Sequence, residues 1–434
     1  MKNLRYTMAL LGAMLITGFV PNANALPMFE GQTGLDCKAC HTQNQPKLGK
    51  IGRDFALSGM TLTQKLEDEE GNNSDINASL MFKSRYEKTY DKPGANGDVA
   101  VNSETNDGIL SVPRTAALYV GGRLTDEVGA LVSAAYKDQE DNSVGGKVVY
   151  TKRNGDGYLG AAVYSTANFG PFSGMEVYNT GLYRPLRTFD IMKLTNANQA
   201  SEVGTGKATG LQLYYAQDSF FNDSDFLFAS IGVFSPSQDN SDMNLASNFL
   251  PMARIAYEYP IGDFNFIFGG FAIGGGERVS ATDSLSVERE TYGIDLQIEG
   301  KIAQKNVTII ATKVLRNDVN YTGDGAGSTS DLEDTLSRAF SLETHLSVTD
   351  DFTAKLAYLE YNDLFTYPDV GGGSHSTNNH LDVRDIERAI TLGFDYSFKY
   401  YLPMKVAVEH SWAVPALERV GNYRDFVVTL NILF

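Results

Sequence analysis

The sequence predicts an all-β fold, an antiparallel membrane β-barrel of about sixteen strands. Three observations predict it. From about Asn77 to Phe434, apolar and polar residues alternate with period two, in segments of roughly ten residues. Short turns alternate with long polar loops along the same stretch. The 434 residues include 42 Gly, 23 Tyr and 24 Phe, a composition that leans away from helix bundles.

The first 25 residues read as a secretory signal peptide. Lys2 and Arg5 make a positive n-region, Met8–Val20 is a 13-residue apolar stretch, and Ala23-Asn24-Ala25 offers small residues for cleavage. Thirteen residues are too few to span a bilayer as a helix, and no later run reaches 18 apolar residues. Loss of the leader removes two cations and takes the formal charge from −17 to −19. That balance argues against nucleic acid as a partner, because binding phosphates needs clustered Lys and Arg.

Both cysteines of the chain fall in Cys37-Lys38-Ala39-Cys40-His41. Two thiols three residues apart suit thioether bonds to the vinyl groups of one porphyrin, and the adjacent imidazole suits an axial position on its iron. A redox disulfide or half a zinc site are the alternatives. Zinc would need further ligands nearby, yet the next histidine is His345, and a thioredoxin-like βαβ context is absent. The motif therefore predicts one covalent haem c, with Cys37 and Cys40 as attachment points and His41 as proximal ligand. Met60 is the candidate distal ligand, and Met28 is the other local sulfur. Residues 26–62 form this haem segment, too short to build its own core, so it caps or plugs the barrel. Residues 63–76, with Glu67-Asp68-Glu69-Glu70, read as an acidic linker.

The barrel occupies 77–434. Tyr292, Ile294, Leu296 and Ile298 alternate with Gly293, Asp295, Gln297 and Glu299. Ile390, Leu392, Phe394, Tyr396 and Phe398 alternate with Thr391, Gly393, Asp395 and Ser397. A soluble sandwich also alternates, but a barrel turned apolar outward and polar inward accounts better for a chain only 42% hydrophobic. Short turns fall at Arg123–Asp126, Arg153–Asp156, Tyr259–Gly262, Ala303–Asn306, Val348–Asp351 and Tyr400–Pro403. Long polar loops fall near 90–109, 235–250, 274–287, 316–334 and 363–384. Seventeen segments qualify as strands, Met175–Tyr183 being the weakest. Dropping it leaves sixteen and puts every short turn on the periplasmic side; the long loop 167–206 this creates between strands five and six resembles in position the pore-constriction loop of general sixteen-stranded porins. Trp412 and the terminal Tyr and Phe residues suit an interfacial girdle.

Around the haem motif stand Leu26-Pro27-Met28-Phe29-Glu30-Gly31-Gln32-Thr33-Gly34 before it, and Pro46, Leu48, Gly52-Arg53, Phe55, Leu57 and Gly59 after it. This stretch of about 35 residues closely resembles the fused monohaem cytochrome–porins of the outer membrane, known as iron oxidases. That family carries Pro-x-Phe and Gln-Thr-Gly before Cys-x-x-Cys-His, and Gly-Arg-x-Phe-x-Leu-x-Gly after it. Many members continue Gly-Tyr-Thr where this chain has Gly59-Met60-Thr61. The resemblance implies an outer-membrane protein that takes electrons from extracellular Fe(II) and passes them to a periplasmic carrier such as a soluble cytochrome c.

Strand parity places Glu343 and His345 toward the lumen near the periplasmic end, where His345 is a second candidate haem ligand, and sets His410 among the lipid-facing residues. His375 and His380, with Asp369, Asp382 and Asp385 in an outer loop, are candidate ligands for a divalent metal. Three function classes stay open: inward electron transfer from Fe(II), the same conduit running outward, and a diffusion porin with a haem-stapled plug. No nucleophile–base constellation or Gly-rich phosphate loop supports a hydrolase or nucleotide enzyme.

Overall fold

The computed structural model describes residues 27–35, 37–41, 48–63, 74–90, 108–137, 143–166, 208–235, 250–278, 285–322, 334–362, 386–398, 404–415 and 423–433. The leader, the 167–206 interval, His375, His380 and the turn at 400–403 lie outside them. Three short helices come first: α1 (Pro27–Thr33), α2 (Cys37–Cys40) and α3 (Lys50–Leu57). The strands follow as β1 (Asp75–Tyr90), β2 (Ile109–Arg123), β3 (Val128–Lys137), β4 (Ser143–Asn154), β5 (Gly157–Thr166), β6 (Ala208–Asp218), β7 (Phe226–Ser235) and β8 (Leu250–Ile261). After them run β9 (Phe264–Ile273), β10 (Gly276–Arg278), β11 (Leu285–Ile302), β12 (Lys305–Thr322) and β13 (Asp334–Ser347). The last four are β14 (Phe352–Asn362), β15 (Ile386–Phe398), β16 (Met404–Pro415) and β17 (Tyr423–Leu433).

Each strand pairs antiparallel with its sequence neighbour, and β17 pairs back onto β1, from Met81 opposite Leu433 to Tyr90 opposite Arg424. The sheet is therefore a closed barrel with no free edge. β10 extends β9 beyond Gly274-Gly275, and both pair with β11, so the seventeen strands make sixteen staves. An even count brings both ends of the wall to one rim, where the short turns also lie.

Side-chain parity follows the sequence. Along β15, Ile390, Leu392, Phe394 and Tyr396 are exposed, while Ala389, Thr391 and Asp395 are buried. Along β11, Tyr292 and Ile294 face outward, and Asp295 and Gln297 face in. The inner wall carries closed ion pairs. Arg254 reaches Asp295 in a two-pronged contact at 2.7 and 3.1 Å. On the far side Lys355 and Lys405 both meet Asp395, the latter at 2.7 Å. An apolar exterior around a polar interior is stable only where the surroundings are apolar. Leu392→Lys, at the middle of β15, is expected to destabilise the barrel by about 2–4 kcal/mol in a lipid-refolding titration.

Three sequence expectations need correcting. The wall begins at Asp75 rather than at 77, which shortens the expected linker. Strand takes up 276–278 and 285–287 of the expected loop 274–287, and 316–322 of the expected loop 316–334, because β11 and β12 each run 18 residues, well past what a bilayer crossing needs. In that paired extension Glu290 stands opposite Asn317, and Arg289 opposite Asp318. The short connection Ser219–Asp225 between β6 and β7 was not among the expected turns; Asp225 organises it by accepting from the amides of Phe221 and Asn222.

Candidate functional site

The described residues 27–35, 37–41 and 48–63 lie against the inner faces of the wall at the short-turn rim. Met28, Phe55, Leu57 and Met60 form a core with Leu131, Val149, Ala162, Tyr214, Phe226 and Phe228. The segment is far too small to bury these side chains by itself, so the wall supplies the other half of its core. Phe29 packs edge-on to Phe55 with ring centroids 4.8 Å apart, joining α1 to α3.

The residues around the Cys-x-x-Cys-His motif have identifiable structural jobs. Gln32 is buried; its amide nitrogen donates to the carbonyls of Met60 at 2.7 Å and Leu62 at 2.8 Å, and its oxygen accepts from the Arg123 amide at 3.3 Å. Thr33 donates to the Phe29 carbonyl at 2.7 Å, closing the last turn of α1. Arg53 is buried and bridges Glu258 of β8 at 2.9 Å and Glu299 of β11 at 3.0 Å. Asn265 and Gln297 donate to those same carboxylates. Burial works against the Arg53 charge, but Glu299 and Glu258 outweigh it and hold the guanidinium firmly protonated. The carbonyl of Leu57, at the C-terminus of α3, accepts from the Tyr214 hydroxyl at 2.6 Å, so the wall caps the helix.

Two close approaches explain glycines in this stretch. A Cβ on Gly52 would collide with the carbonyl oxygen of Cys40, where α2 crosses α3. A Cβ on Gly129 of β3 would collide with the carbonyl oxygen of Gly59, itself at φ +70°. Gly52→Ala is expected to cost about 1–3 kcal/mol by forcing α2 off α3, measured as faster proteolysis within 27–63.

The motif itself faces open space. A cavity of about 770 Å³ lies beside the motif, lined by Ala39, His41 and Gly49 and by the acids Asp263 and Asp350. Glu299, Lys301, Lys305 and Asn306 of the β11–β12 hairpin line it, with Ser347 and Thr353 beyond. His41 and Leu48 form an antiparallel bridge, and the Gly49 amide donates to the Cys40 carbonyl at 2.8 Å, so the motif is tied to the start of α3. Cys40 is half-buried, which pushes its thiol up from its ordinary value.

Other candidate residues fall elsewhere. Met60 is buried in the apolar core, near Leu131 and Val149, and is not among the described residues that line the His41 cavity. Met28 sits in the same core. His345 is buried on the inner wall, 3.2 Å from Glu343, two residues along β13 from the cavity-lining Ser347. His410 packs edge-on to Trp412, with ring centroids 4.4 Å apart. Among the described residues, no group of three or more His, Cys, Asp or Glu is arranged to hold a metal ion.

Asp54, next to Arg53 on α3, is an acid that opposes docking. Burial pushes its carboxyl up to about 6, and the nearby Asp218 adds to the shift, while Lys50 and Arg53 oppose it. The raised value means that the docked state holds this proton more tightly than the undocked one. Its contribution to docking is full below about 3.8 and is lost as pH rises through about 6. Protease resistance of 27–63 should fall over that window, and Asp54→Asn should flatten the dependence.

No family model and no curated protein matches the chain. Solved outer-membrane structures do. The outer membrane channel DcaP of Acinetobacter baumannii is 13% identical over 85% of this chain and 99% of its own, with a TM-score of 0.48. OmpF of Salmonella typhi, solved with daunomycin, is 14% identical over 83% and 97%, with a TM-score of 0.49. A loop-deletion mutant of OmpT from Vibrio cholerae is 13% identical over 83% and 99%, at 0.45. The chain's own strand pairing makes it a closed, sixteen-stave antiparallel barrel.

Proposed function

We propose that this chain is an outer-membrane electron-transfer protein, a porin-like barrel whose N-terminal plug carries one haem c at the periplasmic mouth. The observation that carries this reading is the cavity beside His41, bordered by the backbone of the only Cys-x-x-Cys-His motif in the chain. A cavity of about 770 Å³ is within the range of cofactor pockets, and an imidazole on its wall is a suitable donor for haem iron. Of the motif, Ala39 and His41 line the cavity, with Asp263, Glu299 and Asp350 among the groups facing it. Cys37 and Cys40 would hold the haem by thioethers and His41 would ligate the iron, while His345, two residues from the cavity-lining Ser347, and Met60 are the candidates for a second ligand. Once bound, the group supplies a one-electron centre at the rim.

The chain's own residues do the rest. Gln32, Arg53 and Tyr214 fix the plug to the wall, so the motif keeps one position relative to the rim. The apolar outer face supports insertion in the outer membrane, with the long-loop end outward and the short-turn end toward the periplasm. Fe(II) is the substrate this reading assigns, reaching the lumen from the loop end, and a soluble periplasmic cytochrome c is the carrier. Electron tunnelling falls steeply with distance, and the apolar band is ~25 Å tall, so the donor must enter the pore.

The barrel form favours a second reading, a diffusion porin whose plug is merely stapled by haem. Liposome swelling with small sugars separates the two. On the electron-transfer reading the plug would close the mouth, so slow swelling is expected in the wild type, together with a haem c absorbance signature. Swelling as fast as for an open porin, with no redox partner that reduces the haem, would favour diffusion.

A further inference from the structure

We propose that the outer face of β5–β9 holds one acyl chain of a phospholipid from the periplasmic leaflet. This rests on the membrane seat proposed above and not on the haem. A groove of about 580 Å³ is cut into that face. Its floor is made of small residues, Ala229, Ala253, Gly270 and Ala272, all of outward parity on β7, β8 and β9. Leu159, Leu213, Ile231 and Ile255 stand as its walls, exposed on the same face. A Cβ at Gly270 would meet nothing nearer than the Gly293 carbonyl oxygen at 3.7 Å, so the floor is open rather than filled from within.

The height of the groove and the charge at its end argue for this occupant. Leu159 lies two residues from the short-turn end of β5, and Leu213 and Ile231 five from those of β6 and β7. At ~3.3 Å per residue on tilted strands, the groove falls in the half of the apolar band nearer the periplasm. At its rim end Tyr215, Phe220, Phe221 and Tyr257 make successive ring contacts, with centroids 6.5, 4.6 and 5.8 Å apart. Phe221 is 71% exposed on the β6–β7 connection, as a ring at headgroup level is. Lys152 of β4 stands opposite Leu159 in the ladder, an exposed cation at the same level. An apolar slot with a cation and aromatic rings at its interfacial end matches a lipid tail below a phosphate. A second copy fits less well, because in two-fold contact a concave face meets the same concave face and neither fills the other.

Native mass spectrometry of the full chain, extracted into detergent from dioleoylphosphatidylglycerol vesicles, tests the proposal. The wild type should keep a single bound phospholipid through gel filtration. Gly270→Leu, which the open floor tolerates, and Ala253→Trp should each lose it, with heat-modifiable mobility unchanged. Lys152→Gln should lower the retained fraction about fivefold, the weight of one cation at a phosphate-bearing surface. Ile390→Trp, outward on β15, should change nothing. A wild type that keeps no lipid, or a Gly270→Leu barrel that keeps as much as the wild type, overturns the proposal. Oligomers that fall apart in Gly270→Leu, with no lipid lost, would put a second copy in the groove and overturn it too. A chain that does not insert into the vesicles at all overturns the membrane seat beneath it.

Discussion

Arg53→Ala will unseat the N-terminal plug. The side chain is buried, and its removal strands Glu258 and Glu299 on the inner wall without their cation. Breaking a buried pair by deleting one partner costs about 3–5 kcal/mol, because the remaining charge has lost its solvent and its counter-ion. That exceeds what the plug can recover elsewhere, since its own core is completed only by the wall. The expected result is rapid proteolysis within 27–63 and higher single-channel conductance, with the barrel intact. Arg53→Met combined with Glu258→Gln and Glu299→Gln removes all three charges together and should return much of the resistance. An Arg53→Ala protein as resistant as the wild type would contradict the anchoring role.

Cys37→Ser/Cys40→Ser will abolish covalent haem and lower Fe(II)-dependent electron transfer to background, while the barrel still forms. The wall closes through strand pairing between β1 and β17 and does not depend on the motif. Thioether attachment, by contrast, has no other cysteine to use. Heat-modifiable electrophoretic mobility reports the barrel, and haem-dependent peroxidase staining reports the attachment. A double variant that still stains after denaturing electrophoresis would contradict attachment at these positions. His41→Ala should keep the stain and change the spectrum, separating ligation from attachment.

The sheet was legible from local pattern because each stave alternates over ten or so residues, as β11 and β15 do. β7 and β9 were harder to read. Phe226, Phe228 and Ile267 point inward, against the polar-lumen rule, because this sector of the wall forms the dock for the plug. The jobs of Gln32 and Arg53 were invisible locally. Their partners lie at Arg123, Glu258 and Glu299, from 91 to 246 residues away along the chain. Met60 is a candidate ligand by its spacing from His41; its side chain lies in the plug's core, with a backbone at φ +63° that turns the chain after α3. The cavity beside His41 arises only when α2 is set against the β11–β12 hairpin, and no local sequence pattern announces that pairing.

The most direct test of the account follows haem absorbance by stopped flow in liposomes, with Fe(II) added only to the face that carries the long loops. Rapid reduction of an initially ferric haem, lost in Cys37→Ser/Cys40→Ser, is the predicted result. A haem that stays ferric with Fe(II), yet is reduced by dithionite, would contradict electron entry from iron and leave a porin with a haem-stapled plug.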